Sequence, residues 1–123
     1  MGRTHSWAYY LLTYHHSLRE LEKAETLLKK LKPSGDLPAY RRRIRALRRR
    51  IARTRLKLKK TNAFINTIAD PYIRKAITLR YTKNYSWLYT ATQMGRPDLA
   101  DSLRMMVNRY IKELASYSES DQP

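Results

Sequence analysis

The chain has 123 residues, enough for one domain or for a long-helix module joined to a small one. Its 26 Lys and Arg against ten Asp and Glu give a formal net charge of +16, which attracts polyanions: nucleic acid first, an anionic membrane surface second. Cysteine is absent, which excludes disulfides and thiolate metal sites. No apolar run reaches the ~18 residues of a membrane span, and polar residues interrupt the stretch 7–14 where a signal peptide would be apolar. We therefore expect a cytoplasmic protein.

The first predicted element is a helix over residues 6–32, with Ser6 as its N-cap. Apolar residues recur at spacings of three, four and seven, which places them in one stripe of a helix. The stripe consists of Leu11, Tyr14, Leu18, Leu21, Leu28 and Leu31. Pro33-Ser34-Gly35 ends the helix.

A second, longer helix is predicted to begin after Asp36, its N-cap, with Pro38 in the first turn. Its apolar positions advance by four and three without interruption, as in a heptad seam. The seam consists of Tyr40, Ile44, Leu47, Ile51, Thr54, Leu58, Thr61, Ile65 and Ile68. A short connection favours an antiparallel, coiled-coil-like hairpin over residues 1–68. The alternative is a homodimer formed through the same seam, and the sequence leaves both open.

The other faces of this second helix carry twelve Lys and Arg between residues 41 and 60, with no acidic residue among them. Ordinary solvated helix faces mix the two signs of charge, because like charges at neighbouring positions repel. Nine of the twelve are Arg, which suits bidentate contacts with phosphate. We therefore predict that these residues form a phosphate clamp. The pattern indicates a polyanionic partner but not which polyanion it is. The clamp residues are Arg41, Arg42, Arg45, Arg48, Arg49, Arg53, Lys57 and Lys60.

Three shorter helices are predicted in the last third of the chain. Asp70 caps the first, which Pro71 opens and a turn over residues 82–85 ends. Ser86 caps the second, over residues 87–94, and Gly95 lies in a tight turn before the third, over residues 97–114. A polar, frayed tail is predicted for residues 116–123. No strand pattern is present, so the predicted fold class is all-α.

The last two helices and their glycine-containing turn have the order of a helix-turn-helix, predicted as a DNA-binding module over residues 69–115. One side of the final helix is apolar, and the opposite side carries groups suited to base edges and phosphates. These DNA-binding candidates are Ser102, Arg104, Asn108, Arg109 and Lys112. Asp98 and Asp101 are expected mainly to cap this helix, although Asp101 could accept from a cytosine amino group. The ordinary alternative is a helical bundle whose last helix has a solvated face.

Three short stretches resemble the C-terminal promoter-recognition region of bacterial sigma factors. They are Ala76-Ile77-Thr78-Leu79-Arg80-Tyr81, Tyr85-Ser86-Trp87 and Ala91-Thr92-Gln93-Met94-Gly95. The continuation, residues 100–111, is similar to ArpU/RinA-type regulators of phages and prophages of Gram-positive bacteria. The resemblance covers about residues 70–114.

This resemblance implies a phage-type transcriptional regulator in the bacterial cytoplasm, with promoter DNA as its partner and RNA polymerase as a candidate second partner. Trp87, Ala91, Met94 and Gly95 would be structural residues of the motif. Arg104, Asn108 and Arg109 would lie on the DNA-facing helix.

No catalytic site, metal site or cofactor is predicted, and no small-molecule substrate. His15 and His16 are adjacent and point ~100° apart on a helix, so they cannot share a metal as an i,i+4 pair would. Glu20, Glu22 and Glu25 have the spacing of ordinary surface charge. The alternatives to a regulator are a non-catalytic packaging adaptor, such as a small terminase subunit, and an RNA binder. A membrane role ranks last, because a narrow seam containing Thr54 and Thr61 suits a partner helix better than a bilayer.

Overall fold

A computed structural model describes residues 6–33 and 35–116. Within these residues the chain is 83% helical and contains no strand, which confirms the all-α prediction. The predicted tail lies outside the described residues except for Ser116. No helix in the described part of the chain combines the length and the apolar character needed to cross a membrane.

The predicted first helix consists of two helices, α1 (Trp7–Leu12) and α2 (Tyr14–Lys30). Ser6 caps α1 as predicted, its side chain accepting from the backbone N–H of Tyr9. Thr13 lies at the break: its hydroxyl donates to the Tyr9 carbonyl over 2.8 Å, and its backbone leaves the helical region at φ −100°, ψ 9°. Such back-bonding from a threonine is a known cause of bends in helices.

Helix α3 (Leu37–Asn66) is the longest element, with 30 residues. Asp36 caps the start of α3 as predicted: its carboxylate accepts a hydrogen bond from the backbone N–H of Ala39 at 3.0 Å. Every residue of the predicted seam is buried or half-buried, whereas the positions between them are mostly exposed. The heptad pattern therefore identified the inward face of α3.

The last third begins with α4 (Pro71–Ile77), where the Asp70 carboxylate accepts from the N–H groups of Tyr72 and Ile73. A π-helical segment, Thr78–Thr82, continues α4, and the Lys83 N–H bonds to the carbonyl of Thr78, five residues back. Helix α5 (Trp87–Gln93) follows, capped by Ser86. A 3-10 turn (Pro97–Leu99) then leads into α6 (Ala100–Ala115).

The described chain divides into two compact units. The terminal unit comprises the residues up to His15 and those from Lys60 onward; the middle unit is His16–Lys59. This division differs from the predicted boundary at residue 68, because α1 and the end of α3 belong with α4–α6. Trp7 of α1 stacks on Phe64 of α3 with ring centroids 4.4 Å apart.

The terminal unit contains one apolar core to which α1, the end of α3, α4, α5 and α6 all contribute. Its buried members are Ala8, Leu11, Ile65, Ile68, Ala76, Ile77, Ala91, Leu103, Val107, Ile111 and Leu114. Removal of these side chains from water is the main stabilising contribution to this unit. In the middle unit the buried residues are Ser17 and Ala24 of α2 with Ile51 and Leu58 of α3. The finer prediction, a coiled-coil-like hairpin followed by a helix-turn-helix module, stays a prediction.

Candidate nucleic-acid interface

The basic side chains of α3 lie around the faces that the seam leaves outside. Six predicted clamp residues of the middle unit are exposed, and none forms an ion pair within the described chain. We call these six the basic band: Arg41, Arg42, Arg45, Arg48, Arg49 and Arg53. Lys60, in the terminal unit, is exposed as well. Because no acidic side chain of residues 6–33 and 35–116 neutralises the band, its guanidinium groups are available to bind anions.

Two other arginines of α3 are paired with α2. Arg50 binds the carboxylate of Glu20, and Arg55 Nη2 lies 2.6 Å from Glu25 Oε2. At ~100° per residue, Arg50 and Arg55 fall on opposite sides of the seam. The two ion pairs therefore flank the seam as e/g pairs flank a coiled coil. Neither Arg50 nor Arg55 is among the predicted clamp residues, and α2 supplies counter-charge to the edges of α3 without reaching the basic band.

Lys57 differs from the other predicted clamp residues. It is half-buried, and burial lowers the pKa of its ammonium group from the ordinary value. A desolvated ammonium is a weaker site for a solvated polyanion than an exposed guanidinium. Lys57 directly precedes Leu58 of the seam. This position at the edge of the seam was the sequence signal that could have distinguished it from the exposed clamp residues.

The connection between α5 and α6 has the geometry of a Schellman motif. The Gly95 N–H bonds to the Thr92 carbonyl at 3.0 Å, and the Arg96 N–H bonds to the Ala91 carbonyl at 2.9 Å. Gly95 has φ +80°, a backbone conformation that residues other than glycine rarely adopt. This explains why glycine stands at the predicted turn, and it fixes where the chain leaves α5.

Helix α6 presents a polar outer face opposite its contribution to the core. All five predicted DNA-binding residues of this helix are exposed. Arg104 has a loose ion pair with Asp101, with Nη2 and Oδ1 3.9 Å apart, so its guanidinium remains available. Leu103, Val107, Ile111 and Leu114 are buried on the inner side, as the predicted apolar stripe requires. At ~100° per residue, Arg104 and Ser102 lie about 160° apart around α6, and Asn108, Lys112 and Arg109 lie between them.

Met105 lies on the same outer face and is 59% exposed. It is not among the DNA-binding candidates named from the sequence. Its position between polar neighbours was the available signal.

The capping hydrogen bonds predicted for Asp98 and Asp101 are not formed, although Asp101 lies in the first turn of α6, where negative charge suits the helix dipole. Leu99 is the N-cap of α6, and no side chain caps this helix. Asp98 instead pairs with Arg96, whose Nη2 lies 3.3 Å from Oδ2. The hydrogen bond from the Arg96 guanidinium lowers the pKa of the exposed Asp98 carboxyl below its ordinary value. The 3-10 turn explains the difference, because it separates Asp98 from the first turn of α6.

Arg80 has a structural role within the terminal unit. Its Nη1 donates to the Tyr85 carbonyl over 2.8 Å, and its guanidinium lies 5.1 Å from the centroid of the Trp87 ring. Tyr81 meets the same ring edge-on, and burial raises the pKa of its hydroxyl. These contacts order the chain between the π-helical segment and α5, so Arg80 is not an exposed cation of the interface.

Within the described residues, no three His, Asp or Glu side chains converge as a metal site would require. Comparison with protein-family models, with curated proteins and with solved structures finds no match. The resemblance to sigma-like phage regulators therefore stays a prediction.

Proposed function

We propose that this protein is a sequence-specific, double-stranded-DNA-binding transcriptional regulator without catalytic activity. The outer face of α6 reads the site, with α5 and the Gly95 turn as the preceding part of a helix-turn-helix. The basic band of α3 binds neighbouring phosphates. The resemblance of residues 70–114 to ArpU/RinA-type regulators supports the phage-type assignment, the bacterial cytoplasm as its location and RNA polymerase as a candidate partner.

The observation that carries the proposal furthest is the basic band. Its six exposed arginines form no ion pair with any described residue, and like charges at this spacing repel one another in the free protein. Phosphates of a nucleic acid relieve this repulsion and release their condensed counterions on binding. The acidic side chains of α2 that pair with α3, Glu20 and Glu25, bind Arg50 and Arg55 and not the basic band.

The outer face of α6 supports sequence reading. Serine, asparagine and arginine side chains can donate to or accept from base edges in a major groove, whose width admits one α-helix. Ser102 and Arg104 lie near the N-terminal end of α6, the part of a recognition helix that contacts bases. Arg109 and Lys112 lie further along, where phosphate contacts set orientation.

The seam of α3 bears on the choice between a hairpin and a dimer. Ile51 and Leu58 are buried by the described chain itself, as is Ala24 on α2. This favours pairing of the seam with α2, in the predicted antiparallel hairpin, over its use by a second copy. A homodimer through the seam would require these contacts to open.

The test is a binding assay of the full chain on fragments of its own genome, at two salt concentrations and with random duplex as competitor. We expect a few fragments to be retained at the higher salt. With six to eight phosphates neutralised, log affinity should fall against log salt with a slope of about −5 to −7. A slope shallower than about −2 would contradict the phosphate clamp.

Two substitutions distinguish the contribution of the outer face of α6 to DNA binding from that of the basic band. Arg104→Ala should erase the preference for the retained fragments while changing the salt slope by about 1 or less. Arg45→Ala should weaken binding to all duplexes alike and make the slope shallower by about 0.9. If both variants change only overall affinity, α6 does not read sequence.

A non-catalytic packaging adaptor is the second candidate, because the basic band alone distinguishes no sequence. Uniform binding to cognate and random duplex that disappears with salt would favour it. Preferential competition by RNA would instead favour an RNA-binding role for α3.

A further inference from the structure

Met105 occupies the middle of the polar outer face of α6. At ~100° per residue it points almost directly away from Leu103 and Val107, which are buried. Ser102 and Arg109 lie beside it on one flank, and Asp101 and Asn108 lie on the other, all exposed. A lone exposed apolar residue is common on protein surfaces. Met105, however, lies at the centre of a face that otherwise consists of hydrogen-bonding and charged groups.

Base edges in the major groove offer mostly donors and acceptors, which the neighbours of Met105 can match. The one apolar group that a normal base pair presents there is the C5 methyl group of thymine. Methionine is unbranched and its thioether is polarisable, so it adapts closely to a small apolar group. Met105 is also the sixth residue of α6, within the N-terminal half of the helix.

We propose that Met105 is a specificity-determining residue, which contacts a thymine methyl group at the centre of the DNA site. This assignment rests on the proposed function and names one chemical feature of the DNA that the protein reads. The polar residues around Met105 bind the adjacent base edges and phosphates, and the methyl contact excludes water from between them.

The experiment begins with selection of duplexes from a random library by the full chain. Each thymine of an enriched duplex is then replaced by uracil, which removes only the methyl group, and the dissociation constant is measured. We expect one or two positions at which uracil weakens wild-type binding about fourfold, the effect of burying one CH₂-sized group. In Met105→Ala the same replacement should have no effect, and in Met105→Leu the sensitivity should be retained.

Leu88→Ala is the matched control. Leu88 is 61% exposed, like Met105, but it lies on α5. This variant should keep the full sensitivity to uracil. Circular dichroism should show native helix content in all three variants, because both positions are exposed.

Three outcomes would overturn the assignment, and they differ in what they imply. Enriched sequences that bind equally with thymine and uracil, or uracil sensitivity that persists in Met105→Ala, would contradict the role of Met105 but leave a sequence-reading regulator. Failure to enrich any sequence would contradict the proposed function and the assignment together.

Discussion

Thr90 of α5 is fully buried, and its hydroxyl has no hydrogen-bond partner within the described chain. A buried polar group left without a partner costs about 1–3 kcal/mol. Valine has nearly the same shape and lacks the hydroxyl, so Thr90→Val should raise the free energy of unfolding by about 1 kcal/mol, measured by urea denaturation. Thr92→Val is the control: Thr92 is exposed and donates to the Leu88 carbonyl, and the change should stay within about 0.5 kcal/mol. Loss of stability in Thr90→Val would show that the hydroxyl is bonded.

Gly95 provides a second prediction at a single residue. A Cβ added at Gly95 would meet no atom within 4 Å, so the cost of Gly95→Ala arises from its backbone at φ +80° alone. We expect a loss of about 1–2 kcal/mol in the free energy of unfolding. Gly35 also has open space around it but no positive φ, so Gly35→Ala should be neutral or slightly stabilising. Equal effects at the two glycines would contradict the Schellman geometry of the α5–α6 connection.

Helix α2 limits how much of α3 is open to phosphates. Glu20 pairs with Arg50, so Glu20→Gln should free one guanidinium for phosphate. The slope of log affinity against log salt should then steepen by about 0.9, with tighter binding at low salt. Glu22→Gln makes the same charge change at an exposed position without an ion pair in the described chain, and its slope should match the wild type. If both variants steepen the slope equally, overall charge rather than the ion pair sets the effect.

The starts of α1, α3, α4 and α5 were predictable from sequence, whereas those of α2 and α6 were not. Ser6, Asp36, Asp70 and Ser86 act as N-caps as predicted, because a capping side chain and its N–H partners are close in sequence. The break at Thr13 lies within the apolar stripe, between Leu11 and Tyr14, so the periodicity did not reveal it. An apolar pattern with a period of 3.6 residues does not predict the π-helical segment Thr78–Thr82 either.

For the molecule as a whole, residue spacing predicted which face of a helix is buried or exposed. It did not predict which helices pack together in one compact unit. The exposed face of α6 and the inward seam of α3 follow from helical geometry, so their residues could be named in advance. Assignment of α1 to the core with α4–α6 depends on packing between residues more than 50 positions apart, such as Trp7 and Phe64. Ion pairs between Glu20 and Arg50 or Glu25 and Arg55 are likewise long-range, and they decide which arginines stay available.

The net charge of +16 gives a prediction for the entire chain. Without nucleic acid, raising the salt concentration from 50 to 300 mM should raise Tm, because ions screen repulsion among the exposed cations. With excess duplex DNA, Tm should be higher at 50 mM salt, because a ligand that binds only the folded state stabilises it. This gain should shrink as salt rises, since each bound phosphate makes affinity fall with salt. The two melting curves should therefore approach each other with increasing salt, as followed by circular dichroism at 222 nm. A Tm gain from DNA that is unchanged by salt would contradict binding through the basic band.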